Sequence, residues 1–86
     1  MQPHSEWIVV SDDFTANEVR RTSPPSKSIP KETKIKIVKA VAEPNERVYF
    51  VPLDATGHWS STEKYWTLKT HFTHANDTGQ IKRLSA

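Results

Sequence analysis

Histidines at positions 4, 58, 71 and 74 are the side chains best suited to bind a metal or carry a proton. His71 and His74 are three apart. On an extended strand such residues point to opposite faces, so the pair is not a natural chelate. A structural zinc needs about four ligands, often cysteines, and the chain has no cysteine. The reading expects no metal and no cofactor. Serine, histidine and aspartate are all present, but no Gly-x-Ser-x-Gly elbow presents a nucleophile. Asp12-Asp13 reads as a turn, because adjacent strand residues diverge and a retaining carboxylate pair sits ~5 Å apart across a cleft. Small domains also rarely enclose the pocket of several hundred Å³, on the order of a drug-sized ligand, that catalysis usually needs. The residues point to a protein that is not an enzyme.

The aromatics and cations are better placed for recognition. Trp59, Tyr65 and Trp66 lie close together beside a polar loop over 54–63. Exposed rings stack on sugars, bases or prolines and anchor interfaces. Trp66 reads as core by strand parity, Tyr65 as half-buried and Trp59 as a loop aromatic free to bind. A second long loop, 22–31, carries prolines and follows Arg20-Arg21. An aromatic beside basic groups suits an extended, partly anionic ligand. The candidate ligand-binding residues are therefore Arg20, Arg21, His58, Trp59 and Tyr65. A rival constellation is Lys34, Lys36 and Lys39 with Arg20, Arg21 and Lys27, a positive band of the kind small barrels use on nucleic acids. Glu32, Glu43 and Glu46 dilute it, and the net charge is +2. Lysines on strands also block edge-to-edge pairing without binding anything.

These residues must be positioned by one small domain, expected to span 1–86. The chain has 86 residues and 9.8 kDa, and its apolar fraction is 35%. That is below the ~45–50% of ordinary globular chains, so the large aromatics must supply much of the core. Trp7 to Val10 reads as a strand. Asp13 to Arg21 reads as an irregular arm, with one helical turn facing Phe14 and Val19 inward as the alternative, and Thr22 to Pro30 as a surface loop, since proline lacks a backbone donor. Thr33 to Ala42 alternates clearly until Val38, where either a β-bulge repairs the phase or Val38 and Ala40 meet a second apolar surface. Glu43-Pro44-Asn45-Glu46 turns it into Arg47 to Leu53, which must run antiparallel. Lys64 to Thr73 reads as a long strand with Trp66, Leu68, Thr70 and Phe72 on one face. Ala75 to Gly79 reads as a turn and Gln80 to Leu84 as a last strand. The expected fold is all-β: a small five-stranded barrel with long polar loops. Its core is expected to join Ile35, Ile37, Val48, Phe50, Trp66, Leu68 and Phe72.

Glu18-Val19-Arg20-Arg21-Thr22-Ser23-Pro24-Pro25-Ser26 resembles the V-R-x-x-P-S signature of bacterial SH3-like modules. Ile29 to Ile37 sits where that family opens its next strand, and Tyr65-Trp66-Thr67-Leu68 resembles its late aromatic strand. The resemblance runs over roughly residues 18–72. It implies an SH3-like barrel, bacterial or phage in origin, acting as a non-catalytic binding module. Its partner would be a protein, a peptide or peptidoglycan, held where loops 22–31 and 54–63 flank a groove. Nucleic-acid binding is the alternative, and a short accessory or inhibitor protein docking a larger complex is a third. No apolar run approaches the ~18 residues of a membrane span, and Met1 to Glu6 lacks a basic, apolar leader. No membrane partner is expected, and the cytoplasm is the default address.

Overall fold

The computed structural model describes residues 4–20, 26–41 and 46–84. Over these residues the chain forms seven strands and one helix: β1 (Glu6–Val9), β2 (Thr15–Glu18), β3 (Lys27–Ser28), β4 (Lys34–Val41), β5 (Arg47–Pro52), β6 (Tyr65–Leu68), α1 (Lys69–Asp77) and β7 (Ile81–Arg83). The strands make one sheet in the order β3-β2-β6-β5-β4-β1-β7. Every pairing is antiparallel. The sheet curls into a half-barrel, and α1 packs on β5, β6 and β7.

The all-β class holds, but the sheet has seven strands rather than five. The two additional strands come from segments read as arm and loop. Phe14 and Ala16 are buried while Thr15 and Asn17 are half-buried, so a short period-two pattern does exist there. β2 pairs with β6 through Asn17 and Glu18, and with β3 through Thr15 and Ala16. Val19, which a helical turn would face inward, is 42% exposed.

The β4–β5 hairpin has the expected antiparallel pairing. Its register shifts between Ile37 and Lys39, so Val38 is the extra residue of a β-bulge. Ile35 pairs with Pro52 and Ile37 with Phe50 before the bulge; Lys39 pairs with Tyr49 after it.

The long strand over 64–73 is replaced by β6 and α1. Phe50 lies opposite Tyr65 and stacks on it, with ring centroids 5.8 Å apart. Residues directly opposite in a sheet share a face, so Tyr65 and Thr67 turn inward. Trp66 is half-buried on the outer face, and Leu68 is 48% exposed. Both were expected in the core, and the parity of β6 is the reverse of that reading. Phe72 is nonetheless buried, because the helix returns it to the core three residues after Lys69. Its ring meets Trp7 edge-on at 5.0 Å and Phe14 at 6.3 Å. Ile35, Ile37, Val48 and Phe50 are fully buried with it, joined by Phe14, Ile29 and Ile81. The Trp7 indole N–H donates to the buried Ser5 hydroxyl at 3.0 Å.

The expected turn at 75–79 is the end of α1. Gly79 has φ +80°, and its N–H bonds to the Asn76 carbonyl while the Gln80 N–H bonds to the Ala75 carbonyl. This is a Schellman ending, where glycine takes the left-handed position without a Cβ penalty.

Candidate functional site

The concave side of the sheet opens between two loops. Lys27 to Pro30 stand on one bank and Leu53, Asp54 and Glu63 on the other, around a groove of ≈ 270 Å³. Its floor is apolar and comes from Ile35 on β4, Phe50 and Pro52 on β5, and Tyr65 on β6. A second cleft of ≈ 270 Å³ continues past Tyr65 and is lined by Glu18, Arg20, Lys27, Glu63 and Lys64. Lys27 bridges the two. Its ammonium is 3.5 Å from Glu18 and 5.8 Å from the centre of the Tyr65 ring. Its interaction with the Tyr65 hydroxyl, and then with Glu18, raises its pKa above the ordinary lysine value. This rim mixes both signs of charge, with Glu18 and Glu63 beside Arg20, Lys27 and Lys64.

The loop after β5 is built around Asp54. Its Oδ1 accepts hydrogen bonds from the Thr56 amide at 2.9 Å, the Thr56 hydroxyl at 2.6 Å and the His58 amide at 3.0 Å. Those bonds, the Thr56 hydroxyl first and then the His58 amide, hold the Asp54 carboxyl below its ordinary pKa. Gly57, with φ +85°, makes the tight reversal. The Thr56 hydroxyl also lies 3.0 Å from His58 Nδ1, tying that ring to the loop. The reversal ends in an isolated bridge between Leu53 and Trp59, which delivers the indole to the outer side of the sheet. There Trp59 lines an open cleft of ≈ 390 Å³ with His4, Lys36, Val38, Val51 and Lys64. The Lys36 ammonium stands 5.8 Å from its ring centre.

The outer face is unequal in charge among the described residues. Register fixes which residues share it. Lys82 and Lys34 both lie opposite Ile8. Lys36 lies between Glu6 and Val51. Lys39 lies opposite Tyr49, which lies opposite Trp66. Arg47 lies opposite Leu68. Lys64 precedes the inward Tyr65 and so turns outward. Among the described residues six cations, Lys34, Lys36, Lys39, Arg47, Lys64 and Lys82, thus meet one acid, Glu6, with Glu63 at the cleft rim. Among the described residues none of the six is held in an ion pair. The Arg47 guanidinium lies 4.0 Å from the centre of the Trp66 ring, and its Nε is buried without a hydrogen-bond partner.

The five candidate residues therefore separate. Tyr65 and Arg20 meet at the inner cleft. Trp59 faces outward, and His58 is exposed at the loop tip. Arg21 lies outside the described residues. The proposed positive band also divides: Lys34, Lys36 and Lys39 share the outer face, while Arg20 and Lys27 belong to the inner cleft. Arg47, Lys64 and Lys82 were missed because pairing between distant strands, not spacing along the chain, brings them to that face. His71 and His74 lie on a helix, so the argument from strand parity no longer separates them. Among the described residues no cluster of three or more His, Cys, Asp or Glu could hold a metal. No family model, curated protein or solved structure matches the chain.

Proposed function

We propose that this chain is a non-catalytic binding module that holds nucleic acid on the outer face of its sheet. One observation carries the reading: among the described residues that face holds six cations without an ion pair against Glu6, with Glu63 at the cleft rim, in a chain whose net charge is +2. Phosphate neutralisation supplies most of the affinity of such surfaces and makes it salt-dependent. A modest net charge is compatible with this, because local density rather than the total sets the field at a surface. Two other acids are engaged away from that face: Glu18 pairs with Lys27 at the inner cleft, and Glu46 lies 3.6 Å from Lys69 at the start of α1.

The test compares two charge reversals on opposite sides of the sheet. Lys34→Glu with Lys36→Glu should weaken binding to DNA by about ten-fold or more at low salt, since two phosphate contacts become repulsions. Arg20→Glu with Lys27→Glu should leave it nearly unchanged. Equal losses from both pairs, or no binding of single-stranded or duplex DNA by the parent protein, would overturn the reading.

A second reading rests on the inner groove. Lys27 to Pro30 from one loop and Asp54 and Glu63 from the other line one cavity there, over an apolar floor that ends at Tyr65. An extended protein or peptide segment fits such a groove, with Lys27, Asp54 and Glu63 at its edges. The resemblance to SH3-like modules supports this reading and extends it to wall peptides. An interacting protein lost on Lys27→Glu but kept on the Lys34, Lys36 double reversal would assign it to the groove.

A further inference from the structure

We infer that the nucleic acid on the outer face is a single strand whose bases stack on two indole rings, each accompanied by a cation. This inference rests on the nucleic-acid reading above and adds the form of the ligand. A duplex offers phosphates and groove edges, while its base faces are stacked within it. A single strand offers those faces directly, and aromatic side chains and guanidinium planes are what they stack on.

The outer face supplies both kinds of surface. Trp66 is half-buried, so its ring is fixed by the sheet and still reachable. Arg47 lies over one face of it, 4.0 Å from the ring centre, so that a guanidinium and an indole are both offered at this point. Tyr49 lies directly opposite Trp66 and adds a third ring. Trp59 is likewise half-buried, with Lys36 beside it. Trp66 and Lys36 are two strands apart and, through Tyr49 and Val51, two residues apart along the sheet. With strands ~4.8 Å apart and ~3.4 Å per residue, that separation is roughly 12 Å. A few nucleotides of single strand cover it. Lys39, Lys64, Lys34 and Lys82 lie around this line, where the backbone phosphates of such a strand would run.

Curvature points the same way. The sheet is curled, and its outer side is the convex one. Duplex DNA has a persistence length of about 50 nm, far longer than the 35 Å greatest extent of this molecule. A stiff rod touches a convex surface along one line and leaves part of the six-cation set unused. A flexible strand bends over it.

The experiment titrates the whole chain with a dT oligomer of about 10 nucleotides, longer than the ~4-nucleotide lower limit of small barrel sites. A duplex of the same length is the second arm. Trp7 is buried at 6% exposure, so quenching of tryptophan emission reports Trp59 and Trp66. The single strand is expected to quench and to bind about ten-fold or more tighter than the duplex, with log K falling against log salt at a slope of about −4 for six phosphates. Trp66→Ala should weaken single-strand binding about ten-fold or more, and Trp66→Phe should restore most of it. If Trp66→Ala does not fold, Trp59→Ala gives the same comparison at the other ring. Equal or tighter duplex binding overturns the single-strand inference and leaves the nucleic-acid reading standing. Single-strand binding without quenching, or unaffected by loss of either ring, overturns the stacking sites. Binding of neither form overturns both.

Discussion

Asp54 uses one carboxylate oxygen to accept three hydrogen bonds, two from backbone amides and one from the Thr56 hydroxyl. Charge strengthens every one of them. The folded loop therefore favours the ionised carboxyl and holds its pKa below the ordinary value. The sign follows from that direction. Its contribution is present in full above the ordinary carboxylate pKa and is lost as pH falls through the lowered one. The loop should loosen in acid, at a pH below the usual aspartate range. Asp54→Ala should produce the same loosening at neutral pH, read as faster amide exchange at Thr56 and His58 with little change in Tm. Unchanged exchange at both amides would show that the Gly57 reversal and the Leu53–Trp59 bridge hold the loop without it. Asp54 was not singled out from the sequence, where it reads as one polar residue in a polar loop. Trp59 was, as an indole in a polar loop; in the fold it bridges Leu53 and is half-buried. What the sequence did not contain was the direction in which this reversal would turn it.

At the scale of elements, α1 was the costly misreading. Its start carries none of the usual markers. Leu68 occupies the N-cap with φ −68° and ψ 144° and makes no side-chain capping bond. Thr70 and Thr73 are β-branched, which suits a strand better than a helix. The alternation of Tyr65 to Leu68 then runs on into the helix without a break. The buried pair Phe72 and Ala75, three apart, is the one helical sign. The end of α1 is better marked, since Gly79 follows it in the left-handed region at φ +80°. A Cβ there would meet no atom within 4 Å, so substitution tests backbone strain alone. Gly79→Ala should cost about 1 kcal/mol, read as a lower Tm. A neutral result would mean that the Schellman ending does not need glycine. The β4–β5 hairpin, by contrast, was legible down to its bulge. Its isoleucines alternate cleanly up to Val38, and Ile37 can stay inward with Lys39 outward only if one residue goes unpaired.

The whole molecule is held by one core shared between the sheet and the helix. Phe72 is its keystone on the helical side, fully buried between Trp7 and Phe14. Phe72→Ala should cost ~3–5 kcal/mol. In a domain of this size each kcal/mol lowers Tm by about 4–8 °C, so a loss of more than ~12 °C is expected in a single transition. A shift of a few degrees would place Phe72 outside the core. The outer face was legible in part at this scale. Lys34 and Lys36 announce it through their alternation, but its remaining cations belong to strands whose neighbours are set by topology. The bulge at Val38 has a consequence for that face beyond repairing the hydrophobic phase. It acts on the sheet as a frameshift acts on a message. Lys34 and Lys36 are in one frame; uninterrupted alternation would place Lys39 in the other, pointing into the core. The extra residue restores it to the first frame, opposite Tyr49. The sum of charges is the same in either frame. What changes is the molecule's electric dipole: a single inserted residue adds a third lysine from one strand to the positive pole, and a protein with such a pole can be turned towards a polyanion before it touches it.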